Sequence, residues 1–182
     1  MRTFIAIELP SELKDRIAKV ISELRASDFC DAAWIPEPQL HLTLKFLGEI
    51  NEKDVNSISP VLEKICHSMK AFYLQLKGVE HFNQKVIWMG GNTGQEETTK
   101  LANKIDSELH KLGFPKEKRE FSTHLTLARI KHIKDKIKFQ QILEEYADKD
   151  FGIFPVREIK LFQSVLTKQG PIYKELASFM LR

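Results

Sequence analysis

Cysteine is almost missing from this chain: Cys30 and Cys66 are the only two, far apart and outside any Cys-x-x-Cys pattern. Neither a disulfide framework nor a zinc cluster can be assembled from them, and a reducing cytoplasm is the compartment this usage predicts. No apolar run approaches the ~20 residues that cross a bilayer, so no helical membrane span is expected. The opening Phe4-Ile5-Ala6-Ile7-Glu8-Leu9-Pro10 has neither a long apolar core nor a small-residue cleavage site. It reads as a first core strand rather than a signal peptide. Low-complexity tracts and long linkers are also lacking, which favours one domain over residues 1–182. Charge of one sign is scarce too: 28 Lys and Arg against 25 Asp and Glu leave a net +3. That balance is compatible with a polyanionic ligand without demanding one. What is present is ordinary for a globular protein: 42% hydrophobic and 29% charged residues over 182 positions, enough for one sound core or two small lobes that share one.

Strand-like and helix-like stretches alternate along the chain. Residues 2 to 9 form a strand; Ser11 is placed to cap a helix with Leu13, Ile17, Val20, Ile21 and Leu24 along one stripe. Strands at 33–35 and 41–46 flank a Pro36-Glu37-Pro38 corner. Gly48 to Asn51 reads as a turn, and Asn51 caps a helix along Val55, Ile58, Leu62 and Ile65 that Pro60 should kink or delay. A strand at 72–78 comes before a hairpin of 79–82 and 86–89. A helix with Leu101, Ile105, Leu109 and Leu112 on one face ends at Gly113, with Pro115 beyond. After residue 124 come a strand, a helix over 135–146, strands at 152–156 and 159–166, and a last strand from Gly170-Pro171.

Within that alternation one tetrapeptide occurs twice. His-Leu-Thr-Leu stands at His41 to Leu44 and again at His124 to Leu127. A strand sends alternate side chains to one face, so each copy buries two leucines and presents one imidazole and one hydroxyl. Each motif strand is followed by a helix, a pattern suggesting an internal duplication of ~80–90 residues rather than a short solenoid repeat. Copies related by an approximate two-fold axis would face each other.

That pairing suits displacement at phosphorus. Histidine, with an ordinary pKa of ~6.5, can be neutral in one copy and protonated in the other near pH 7. An in-line reaction needs a base on one side of the phosphorus and an acid on the other. Thr43 and Thr126 can donate to its non-bridging oxygens. Strict alternation also puts Lys45 on the face of His41 and Thr43, where an ammonium suits an anion. The same rule puts Arg129 on the wrong face unless its strand bulges near Ala128. A metal site is disfavoured, because no Asp, Glu or Cys stands at a spacing that completes a ligand shell. His67, His81, His110 and His132 lack any such partner. Lys116-Glu117-Lys118-Arg119-Glu120 is mixed in sign and reads as a solvated loop with modest potential for polyanion contact.

On these motifs the sequence resembles the 2H phosphoesterase superfamily, and within it the RNA 2′,3′-cyclic phosphodiesterases, also called 2′-5′ RNA ligases. The likeness runs through Arg2 to Pro10, Trp34-Ile35-Pro36, Leu40 to Glu49, Leu112-Gly113-Phe114, Phe121 to Arg129, and Leu166-Thr167 with Gly170 to Tyr173. It implies an α+β fold of two interleaved lobes related by a pseudo-two-fold axis. Each lobe would be an antiparallel sheet with helices on its outer face, and a cleft would lie between them. It implies hydrolysis of an RNA 2′,3′-cyclic phosphate end to a 2′-phosphate, with possible reversible 2′-5′ ligation and with no metal or cofactor. His124 would be the proton acceptor and His41 the proton donor; Thr43, Thr126 and Arg129 would hold the phosphate. The implied partners are RNA with a 2′,3′-cyclic end, such as tRNA fragments, and nucleotides, acted on by a monomer. Thr123 departs from the family, which often has proline before the second histidine, and Phe82 to Val86 is short. A non-catalytic RNA-end binder and a small-molecule phosphodiesterase are the rival readings.

Overall fold

The computed structural model describes residues 1–182, in the order β1 (Arg2–Glu8), α1 (Ser11–Ala26), β2 (Cys30–Trp34), β3 (His41–Glu49), α2 (Glu52–His67), β4 (Phe72–Phe82), β5 (Val86–Gly91), α3 (Gln95–Lys111), β6 (His124–Ile133), α4 (Lys136–Tyr146), β7 (Asp150–Val156), β8 (Glu158–Thr167) and β9 (Gly170–Met180). The strands form two antiparallel sheets, β3-β1-β8-β9 and β2-β6-β5-β4-β7. Helices α2 and α3 pack on β9 and β3 of the first sheet, and α1 and α4 on β7, β2 and β4 of the second. The fold is therefore α+β, as the resemblance implied. No helix is long and apolar enough to cross a membrane.

The duplication is visible in the register of the elements. Their starts recur 83 or 84 residues apart: Arg2 and Val86, Ser11 and Gln95, His41 and His124, Glu52 and Lys136. The sheets do not divide the chain at its midpoint. The first sheet takes both ends of the chain, and the second takes the middle with β2. Forty buried residues make one core that draws on both sheets and all four helices. β1 lies inside its sheet and is apolar from Phe4 to Ile7. Ile5 and Ile7 enter that core, while Phe4 and Ala6 join Phe162 in a small cluster on the opposite face.

Local chemistry explains where the elements begin and where sequence patterning misplaces them. Asn51 caps α2 as expected: its side chain accepts from Lys53 N at 2.8 Å and Asp54 N at 3.1 Å, and Asp54 accepts from Asn51 N at 2.8 Å. Ser11 does not cap α1. It is the first helical residue, and Pro10 stands in the cap position with its carbonyl accepting from Leu13 N and Lys14 N. Pro60 neither ends nor delays α2. It sits on the exposed face, so the Asn56 carbonyl that loses its N–H partner meets water. β3 continues through Gly48 to Glu49 instead of turning there. β4 is one strand rather than two, because Gly78 (φ +76°) forms a bulge where a Cβ would strike the Ala147 carbonyl.

Candidate active site

Each motif strand carries a bulge at its second leucine. Against β1, Ala6 pairs with Thr43 and Ile5 with Lys45, so Leu44 is the extra residue. Against β5, Trp88 pairs with Thr126 and Ile87 with Ala128, so Leu127 is the extra residue. One inserted residue reverses the facing of everything after it. Lys45 and Ala128 are therefore buried beside Leu44 and Leu127, while Phe46 and Arg129 emerge on the histidine side.

This corrects the expectation for Lys45. Its side chain is 1% exposed, and the ammonium lies 2.5 Å from Asp106 Oδ1 on α3, donating also to Pro115 O at 2.9 Å. Its charge is committed to Asp106 rather than offered to a substrate. Burial alone would raise the Asp106 carboxyl, but the hydrogen bonds from Lys45 and from Glu117 N–H outweigh it and hold that carboxyl below its ordinary range. The same displacement carries Arg129 into the position that strict alternation denied it.

β3 and β6 adjoin although they belong to different sheets. Between the sheets lies a cleft of about 1070 Å³, lined by His41, Thr43, His124, Thr126 and Arg129 together with Phe4, Phe46, Phe82 and Tyr173. The two imidazoles are anchored alike but housed differently. Each ring donates to the backbone two residues upstream: His41 to Gln39, and His124 to Ser122, where Nδ1 lies 2.7 Å from the carbonyl oxygen. A carbonyl only accepts, so His124 Nδ1 carries the proton, and a neutral ring keeps its lone pair on Nε2.

His41 stacks on Phe4 at 4.7 Å between ring centroids and meets the edge of Tyr173 at 4.9 Å. Burial in this box pushes its pKa down to about 4, so the ring is neutral at pH 7 in the free protein. His124 has looser neighbours, Phe82 edge-on at 5.4 Å and Trp88 at 6.2 Å, with Phe82 stacked on Trp88 at 4.6 Å. Trp88 Nε1 and Thr123 Oγ1, both close in sequence or space to His124, are buried without a hydrogen-bond partner.

The aromatic shell is what the motifs alone did not disclose. Phe4, Phe82, Trp88 and Tyr173 stand outside the two His-Leu-Thr-Leu motifs, and strand alternation singles out none of them. One signal was available: an all-apolar strand such as β1 must be covered on both faces, so its Phe4 side had to line something other than the main core. No three His, Cys, Asp or Glu side chains converge where they could hold a metal ion.

Comparison with known proteins follows the same residues. The family model described as the AKAP7 2′5′ RNA ligase-like domain matches residues 3–181. A protein of Methanocaldococcus jannaschii named RNA 2′,3′-cyclic phosphodiesterase is 35% identical over 178 residues, covering 96% of this chain and 97% of its own. The chain belongs to the RNA 2′,3′-cyclic phosphodiesterase family. Among solved structures, TT0787 of Thermus thermophilus superposes with a TM-score of 0.82 at 26% identity, over 100% of this chain and 98% of that one. E. coli LigT complexed with 3′-AMP gives 0.78 at 25% identity, over 99% and 97%. Members of this family thus share both the two-sheet fold and its full extent with the present chain.

Proposed function

We propose that this protein is an enzyme that opens the 2′,3′-cyclic phosphate at an RNA 3′ end to a 2′-phosphate, with no metal and no cofactor. His124 Nε2 takes a proton from water, the water oxygen bonds to phosphorus, the P–O3′ bond breaks, and His41 delivers a proton to the departing oxygen. Thr43, Thr126 and Arg129 hold the non-bridging oxygens as charge develops. The observation that carries this function is the convergence of both motifs on one cleft in a chain that matches its family almost end to end. The nucleotide in the related LigT structure supports a nucleotide-sized ligand.

The donor role sets a condition on His41. Its pKa of about 4 means that the free protein holds it neutral, so its proton must arrive with the substrate, whose negative charge offsets the desolvation that keeps the ring uncharged. Reversal of the same steps would join the cyclic end to a 5′-hydroxyl, and an open cleft in which water competes keeps that reaction weak. The buried, unpaired thiols of Cys30 and Cys66 suit a reducing cytoplasm, and burial pushes the Cys66 thiol up to about 12, far from any nucleophilic role. One core shared by both sheets favours a single domain.

The deciding experiment incubates an oligonucleotide bearing a 2′,3′-cyclic end and identifies the product isomer. A 2′-phosphate is expected; a 3′-phosphate, or an untouched cyclic end with no turnover of cyclic mononucleotides either, would sink the proposal.

A further inference from the structure

The segment between α3 and β6 has no regular secondary structure, yet it is fastened. Asp106 on α3 accepts from Glu117 N at 3.1 Å and from Lys45 Nζ at 2.5 Å, and Lys45 also holds Pro115 O at 2.9 Å. Glu117 Oε1 lies 3.9 Å from the same ammonium. Connections of this length without structure of their own are uncommon in compact domains and usually serve function.

Along the chain the run from Lys116 to Glu120 is nearly balanced in sign. In the folded protein its acids and bases are engaged unequally. Glu117 is drawn to within 3.9 Å of the Lys45 ammonium, whose charge Asp106 already meets at 2.5 Å, so that acid is tied to the loop's buried anchor. Lys116, Lys118 and Arg119 form no ion pair and line the same cleft as the two histidines, with Glu120 as the one free acid among them. Three unspent cations beside a phosphate site are more than a cyclic mononucleotide can use, since it has no second phosphate. A chain ending in a cyclic phosphate has one for every nucleotide upstream.

We propose that Lys116, Lys118 and Arg119 form a second subsite that binds the phosphodiester backbone of single-stranded RNA upstream of its cyclic end. Lys45 and Asp106 act as positioning residues that hold this loop against the cleft. The inference rests on the RNA-end function above and narrows the substrate from cyclic nucleotides in general to chains of several nucleotides. The buried Lys45 thereby links the first motif strand to the substrate's body rather than to its reacting phosphate.

Neutralising each phosphate of a single strand contributes about −0.7 to the slope of log affinity against log salt, so removing three contacts should flatten that slope by about 2. The test compares the unmodified protein with the K116A/K118A/R119A variant, whose three changes lie on exposed positions and leave the core untouched. The probes are a single-stranded RNA of about ten nucleotides ending in a 2′-phosphate, and 2′-AMP, each titrated by fluorescence anisotropy or calorimetry across a salt series. The expected result is a slope shallower by about 2 and an oligonucleotide affinity weakened at least ~10-fold at low salt, with 2′-AMP affinity held. Lys45→Met should raise KM for a cyclic-ended oligonucleotide while kcat on that substrate holds; if it does not fold, the triple variant decides alone. An unchanged slope, or equal losses for the oligonucleotide and 2′-AMP, overturns the subsite. An unmodified protein that binds the oligonucleotide with the steep slope, loses it in the variant and leaves a cyclic end uncut supports the subsite while refuting the hydrolytic function.

Discussion

Two strands of nearly the same sequence, one from each sheet, supply this cleft with histidines in unlike surroundings. His41 lies in a box of Phe4, Phe162 and Tyr173, and burial there lowers its pKa to about 4. His124 is held by the Ser122 carbonyl and flanked on its other side by Phe82, which is 38% exposed. Duplication supplied two equal imidazoles, and the lobes made them unequal. A symmetric pair cannot by itself say which ring takes a proton and which gives one; the difference in solvation is where such a distinction can arise.

The largest consequence concerns turnover. His41→Ala and His124→Ala should each lower kcat on a 2′,3′-cyclic mononucleotide by ~10²–10⁴-fold, and the double variant should fall by far less than the product of the two, because the proposed mechanism has both rings act on one phosphorus atom. Losses that multiply would mean two independent sites. Next come the leucines behind the rings. Leu42 and Leu125 are each 1% exposed, so replacement by alanine should cost about 2–5 kcal/mol in denaturant unfolding. The costs should be similar if the halves are packed alike, and a clear inequality would show that one lobe bears more of the core.

The aromatic box predicts a pH signature for one histidine. His41 titrates near 4 when folded and near 6.5 when unfolded. Between these values the unfolded chain binds the extra proton, so the stability contributed by the neutral ring is fully present above pH ~6.5 and is lost as pH falls to ~4. The loss is at most on the order of 3 kcal/mol. His41→Gln should flatten stability across that window, whereas an unchanged slope would place the titrating group elsewhere. Opening the box by Tyr173→Ala should raise the His41 pKa toward its ordinary value, measured by NMR titration of the ring. The same titration with 2′-AMP bound tests the donor role: His41 should gain its proton, and a ring that stays neutral would transfer that role to His124. Chelation with EDTA should have the smallest effect, leaving activity unchanged; loss restored by a divalent cation would contradict the metal-free mechanism.

Much of this was readable along the chain. The two His-Leu-Thr-Leu copies, the burial of their leucines and the Asn51 cap depend on residues close in sequence, where strand alternation and capping act directly. The limits lay in side chains whose placement depends on partners from distant strands. Alternation alone assigned Lys45 to the phosphate and turned Arg129 away, and the bulges at Leu44 and Leu127 reversed both. Such a bulge is set by how β1 and β5 pair with the motif strands, and nothing within the motif marks it. The Phe4 side of β1 met Tyr173 for the same reason, since β8 returns from the far end of the chain and brings β9 with it.

The chain by itself determined the groups proposed to react: their number, their kind and the faces of two short strands on which they stand, because those follow from covalent order and a two-residue period. The packed molecule decided the protonation of His41, the partner of the Lys45 charge and the anchoring of the 116–120 loop. Those properties depend on solvent exclusion and on contacts between residues tens of positions apart, and both arise only when the two sheets close around the cleft.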